Sequence, residues 1–190
     1  MISKLAKSIA HFFVVQNITE ESKEVIYAYG MELLISDVLN TIIVLLIALF
    51  SHTLPAVVVL IAVFMGLRQF VGGFHANSHL SCMFTLVMVM MVFSYGICNV
   101  SGHITPIFSI SFIMIALPII LCIAPVPHPN KPMSEEKSVK LRKRSCILAV
   151  TLSVVTIALL VFQYQKLSLY VSSGMLLSAI MALLGHFLNR

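Results

Sequence analysis

The sequence predicts an all-α protein that crosses a membrane about six times, and three observations indicate this fold class. Of its 190 residues, 59% are hydrophobic and 10% are charged, whereas a soluble domain is about half apolar and ~25% charged. The apolar residues form runs close to the ~20 residues that a transmembrane helix needs. The basic residues stand between these runs, where they set orientation and do not indicate nucleic-acid binding. We therefore expect one membrane-embedded domain over residues 1–190 and no nucleic-acid partner.

The first element is predicted to be an amphipathic helix that lies on the membrane surface. In MISKLAKSIAHFFVVQ, Ile2, Leu5 and Ile9 recur at helical spacing opposite Lys4 and Lys7. This pattern is typical of an interfacial helix. Polar residues interrupt its apolar part, and no small-residue cleavage site follows, so the pattern does not indicate a cleavable signal peptide.

Six apolar segments of span length follow, at residues 31–50, 54–70, 82–100, 104–124, 146–163 and 167–188. The second segment is short and ends in Arg68 and a glycine pair. The sequence leaves two interpretations open for it. It is either a full span with a polar end, or a helix that leads into a re-entrant loop.

The one long polar connection, residues 124–145, fixes the expected orientation. It contains four prolines and the basic residues Lys131, Lys137, Lys140, Arg142, Lys143 and Arg144. The positive-inside rule places such a segment in the cytoplasm. Counting spans outward then places both termini and the loop after Arg68 on the same side, and leaves Lys166 outside. We expect these bases to contact anionic lipid first, with docking of a substrate as a second role.

The stretch RQFVGGFHANSHLSC, Arg68 to Cys82, carries the candidate chemistry. A cysteine beside a histidine can act as a nucleophile on a carbonyl. On a continuous helix, His75 would stand ~10 Å from Cys82 along the axis, so this pairing requires the chain to turn back. Gly72 and Gly73 tolerate such a loop. His79 could reach Cys82 within one helical turn, and spacing alone slightly favours it.

Other interpretations of these residues remain open. Histidines and a cysteine at an interface often only satisfy nearby polar groups. His75, His79 and Cys82 also offer three metal-ligand types, but a closed zinc site needs a fourth ligand and the spacing is not a standard one. We expect neither a metal nor another cofactor.

Two charged residues are candidates for supporting roles. Arg68 could bind a substrate carboxylate or steady an oxyanion, or it could be a snorkelling arginine that marks the end of a span. Glu32 could pair with Arg68 and brace the site, or lie at the interface beside Lys23. A small non-enzymatic transporter or channel subunit would instead use Arg68, Glu32 and Asp37 along a polar path.

Three segments resemble the AgrB family of bacterial membrane proteins that process quorum-sensing peptides. The first is the GG-x-HA-x5-C pattern that Arg68 precedes. The others are YGMELLISDVLN, Tyr29 to Asn40, and APVPHPNKP, Ala124 to Pro132. With the six-span layout, the likeness covers most of the chain.

The resemblance implies a cysteine endopeptidase of the bacterial cell membrane with its active site at the cytoplasmic face. Carried over residue by residue, it makes Cys82 the nucleophile and His75 the base, in place of His79. The implied substrate is an AgrD-like propeptide, whose C-terminal tail is removed and whose remainder is held as an acyl-thioester. Displacement by a side chain of the peptide would give a cyclic thiolactone or lactone. The family also suggests a homodimer.

Overall fold

The structure, a computed structural model, is all-helical over the residues it describes, which are 2–73, 79–126 and 134–188. The side chains at positions 79–83, 86 and 188 fall outside the description. The helices are α1 (Ile2–Val15), α2 (Glu24–Phe50), α3 (Leu54–Val71), α4 (His79–Cys98), α5 (Thr105–Ile123), α6 (Glu135–Val161) and α7 (Gln165–Leu188), with a 3-10 turn at Glu21–Lys23 before α2. The predicted all-α class and the amphipathic first helix are confirmed.

Helix α1 packs along α2 through its smallest side chains. Ala6 and Ala10 are fully buried, and the ring of Phe13 meets that of Tyr27 edge-on at 6.3 Å between centroids. Alanines let two helix backbones approach closely. Lys4 and its polar neighbours remain exposed, and so do the apolar Leu5 and Phe12, at 54% and 55%. Helix α1 therefore packs on α2 through its alanines and leaves part of its apolar surface uncovered.

Six helices correspond to the six predicted spans. Helices α2, α3, α5, α6 and α7 are long and apolar enough to cross a membrane. Helix α4 has 20 residues, of which Val87–Cys98 form its described apolar part. At 1.5 Å per residue, the 18-residue α3 is about 27 Å long, close to the ~30 Å of a hydrocarbon core.

Helix α6 begins earlier than the sequence predicts, because the second half of the expected polar connection is helical. Ser134 is its N-cap, and its hydroxyl accepts a hydrogen bond from the backbone N–H of Lys137 at 3.4 Å. Glu135 and Glu136 occupy the first turn, where the helix dipole favours acids. The basic residues 137–144 therefore lie on a helical extension of the apolar span.

Helix α7 is the centre of the bundle. Of its apolar window, 67% is buried, against at most 39% for the other candidate spans, and it packs on α3, α5 and α6. A Cβ added at Gly174 would lie 2.8 Å from Val63 Cβ and 3.2 Å from Leu60 O. In lipid, the hydrophobic effect does not drive helices together. Small residues such as this glycine let them associate through close packing instead.

Candidate active site

The glycine pair ends α3 with a backbone that other residues rarely adopt. Gly72 has φ 75° and ψ −157°, a region that is essentially restricted to glycine. Gly73 has φ 151°. Gly73 is therefore not part of a helix. The prediction that the chain turns back before Cys82 concerns residues 74–78, which lie outside the described residues, so it stays a prediction.

Two distant segments close around this turn. The N–H of Val126 donates to the carbonyl of Val71 at 2.8 Å, and a Cβ on Gly72 would lie 2.7 Å from Val126 O. A Cβ on Gly73 would lie 3.2 Å from Met181 O in α7. The glycine pair is thus a place of close backbone approach, which sequence reasoning missed because the partners are more than 50 residues away.

The described part of α4 runs from His79 and contains Cys82. His79 and Cys82 are three residues apart on it, within one helical turn. His75 lies outside the described residues, and so do the side chains of His79 and Cys82. The choice between the two histidines therefore stays a prediction.

No group of three His, Cys, Asp or Glu side chains that could share a metal ion occurs within the described ranges. The metal hypothesis depends on His75 and on the side chains of His79 and Cys82, which lie outside the description, so this search does not test it.

Arg68 lies one turn before the glycine pair and is half-buried. Its guanidinium carbon is 5.4 Å from the centroid of the Phe64 ring, within the range of a cation–π contact. It also acts electrostatically on Asp37 of α2. Arg68 and Glu32 both have further interaction partners.

The antiparallel pairing of α2 and α3 determines which acidic residue of α2 lies beside Arg68 and which lies level with Gly72. The two helices are joined by residues 51–53 and run antiparallel. Asp37 is 13 residues before Phe50, and Arg68 is 14 residues after Leu54, so each lies about 20 Å along its helix from the turn. By the same count Glu32 is level with Gly72. Asp37 is therefore placed beside Arg68, which spacing in the sequence does not reveal.

The site lies at one end of the bundle, opposite a second set of loops. Val71, Val126 and Met181 contact the glycine turn, whereas Lys166 Nζ donates to the carbonyl of Cys98 at 3.1 Å at the other end. Of the Lys and Arg residues that the structure describes, all except Lys166 belong to the end that holds the glycine turn.

Comparison with family models and with known proteins gives the same family in both cases. Residues 3–182 match the sequence model of the family described as accessory gene regulator B. An AgrB-like protein of Clostridium beijerinckii is 25% identical over 145 residues, which cover 74% of this chain and 71% of that protein. No solved structure matches the chain at a significant level.

Proposed function

Because the chain belongs to the accessory gene regulator B family, whose members process quorum-sensing propeptides, we propose that it is a membrane cysteine endopeptidase with Cys82 as nucleophile and His75 as base. The observation that carries the proposal is the glycine turn. It ends α3 two to three residues before His75, with a backbone that only glycine readily adopts, and so supports a change of chain direction between His75 and Cys82. A continuous helix would have held the two groups ~10 Å apart.

The first half of the reaction is peptide-bond cleavage. The Cys82 thiolate attacks the scissile carbonyl carbon, and the imidazolium of His75 gives its proton to the departing amine as the C–N bond breaks. The propeptide's C-terminal tail leaves with a free amine, and the remainder is bound as an acyl-thioester.

The second half is ring closure. A thiol or hydroxyl within the bound peptide loses its proton to His75 and attacks the thioester carbonyl. The bond to Cys82 breaks, and the thiolate is restored as a thiolactone or lactone leaves. An internal nucleophile outcompetes water through its high effective molarity, and a site at the membrane edge limits hydrolysis.

Three further residues have supporting roles in this proposal. Arg68 binds a substrate carboxylate or steadies the oxyanion, and Glu32, level with the turn, braces the site. Gly72 and Gly73 shape the loop that carries His75. The Arg68 guanidinium contacts the Phe64 ring. This contact supports a guanidinium that stays beside α3 and does not extend fully into water.

The proposed orientation places the site and both termini in the cytoplasm. The support is the charge distribution, since positive residues concentrate on the cytoplasmic side of membrane proteins. The exposed bases Lys137, Lys140, Arg142, Lys143 and Arg144 extend α6 beyond its apolar part. There they suit contact with anionic lipid headgroups.

Co-expression with the propeptide tests this function. We expect wild type to remove the tail, Cys82→Ala and His75→Ala to abolish cleavage, and His79→Ala to retain it, with equal amounts of each variant in the membrane fraction. Cleavage by Cys82→Ala would rule out the mechanism. Loss with His79→Ala and retention with His75→Ala would reassign the base. A chain that cleaves no propeptide would favour the transporter alternative.

A further inference from the structure

A line of polar side chains on α2 runs from the level of the proposed site into the bundle. Glu32, Ser36 and Asn40 follow one another at intervals of four residues, so they lie along one face of the helix. Val44 and Ala48 continue this face and are 1% and 0% exposed, within the core that α2 forms with α3, α4 and α7. We call Ser36 and Asn40 the α2 polar pair.

The polar atoms of this pair are buried without a partner. Asn40 is 2% exposed. Its amide oxygen Oδ1 and the Ser36 hydroxyl oxygen are both buried, and neither has a hydrogen-bond partner among the described residues. Ser153 of α6 is different, because its buried hydroxyl donates to the carbonyl of Ala149 at 2.8 Å. An unpaired polar atom is costly inside a membrane protein, so the α2 polar pair calls for an explanation.

Helix geometry gives the distance of the pair from the glycine turn. Ser36 and Arg68 each lie 14 residues from the end of their helix at the α2–α3 connection, so they are level. By the same count Asn40 is level with Phe64, the ring that the Arg68 guanidinium contacts. Asn40 is eight residues further into the bundle than Glu32, which is about 12 Å. The α2 polar pair therefore extends inward from the level of the proposed site.

An extended peptide is the occupant that matches this pair. Its backbone carries N–H donors and C=O acceptors. An N–H can donate to Asn40 Oδ1, and a C=O can accept from the Ser36 hydroxyl. Three to four extended residues cover the ~12 Å between the level of the glycine turn and that of Asn40. A lipid tail offers neither a donor nor an acceptor, and a second folded copy would have to enter the core of the bundle.

We propose that the α2 polar pair binds the propeptide backbone within about four residues of the scissile bond, with Asn40 Oδ1 accepting an N–H. This inference rests on the proposed function and makes Asn40 a substrate-binding residue of that site. The unpaired amide lowers the stability of the free protein, and the bound peptide supplies its donor. Functional sites commonly carry groups that lower stability in this way.

Propeptide affinity and heat stability, measured on the same variants, test this inference. The parent is the full chain with Cys82→Ala in lipid nanodiscs, which cuts no bond. We expect Asn40→Leu to raise the Kd about three- to thirtyfold, the range of one hydrogen bond in a membrane. Its heat-inactivation midpoint should equal or exceed that of the parent, because an apolar side chain of similar size replaces an unpaired polar one. Ser36→Ala should also raise the Kd at an unchanged midpoint, whereas Ser153→Ala, whose hydroxyl has its own acceptor, should bind like the parent.

An ester scan of the propeptide identifies the hydrogen bond. One backbone N–H at a time is replaced by an ester oxygen, over about four residues on each side of the scissile bond. One ester should weaken binding to the parent and have no effect on binding to Asn40→Leu, the signature of a direct pair.

Three results would overturn the inference. They are a parent-like Kd in Asn40→Leu, an ester scan that affects both chains equally, and a lowered midpoint in both Asn40→Leu and Ser36→Ala, which would make the pair structural. A propeptide that binds through this pair but is never cleaved by the wild type would support the inference and reject the peptidase function.

Discussion

Replacing Gly72 by alanine tests the turn that ends α3. An alanine at φ 75° and ψ −157° would occupy a region that costs about 1–3 kcal/mol. Its Cβ would also stand 2.7 Å from the Val126 carbonyl oxygen, which is backbone and cannot rotate away. Moving Val126 breaks its 2.8 Å hydrogen bond to Val71, worth about 0.5–1.5 kcal/mol. The expected total is about 2–4 kcal/mol of lost stability.

The measurement is the midpoint temperature of heat inactivation in detergent, at which half of the protein is no longer monodisperse after heating. At about 2–4 °C per kcal/mol for a chain of this size, Gly72→Ala should lower the midpoint by about 5–15 °C and impair propeptide cleavage. Gly66→Ala is the matched control, since a Cβ there meets nothing within 4 Å and alanine favours a helix. A Gly72→Ala midpoint equal to that of Gly66→Ala would refute the reasoning.

Three further predictions concern packing, capping and orientation. Gly174→Ala should lose about 1–3 kcal/mol by overpacking against Val63, whereas Gly96→Ala, with open space at its Cβ, should not; heat inactivation of the two variants side by side measures this. Ser134→Ala should reduce helix stability at the start of α6 by about 1 kcal/mol, seen as faster amide exchange of residues 135–138, and an unchanged rate would contradict the cap. A periplasm-dependent phosphatase reporter should be active when fused after Ser51 and inactive after Arg190, and the reverse result would invert the proposed topology.

The membrane fold could be predicted from the sequence because its main signal is the length of apolar runs. The six predicted segments correspond to α2 through α7. The starts of α2 and α6 differ, since helix formation continues beyond the apolar part into polar residues. At α6 a local signal existed in Ser134 followed by Glu135 and Glu136, but hydropathy does not register it.

The site could be predicted only in part. Glycines at 72 and 73 indicated a break in helical geometry, and α3 ends there with positive φ at both. Their contacts with Val126 and Met181 arise from tertiary packing and leave no local pattern. The same holds for Asp37, which becomes a neighbour of Arg68 only through the antiparallel pairing of α2 and α3.

The most direct measurement of the central claim is the intact mass of the purified protein after incubation with its propeptide. A propeptide whose ring-closing cysteine or serine is replaced by alanine cannot displace the enzyme. We predict an adduct equal to the propeptide without its tail, attached to Cys82 and released by hydroxylamine. The adduct should persist when Cys98, Cys122 and Cys146 are all replaced by alanine, and disappear in Cys82→Ala. Tail removal without any adduct, or an adduct that remains in Cys82→Ala, would contradict the mechanism.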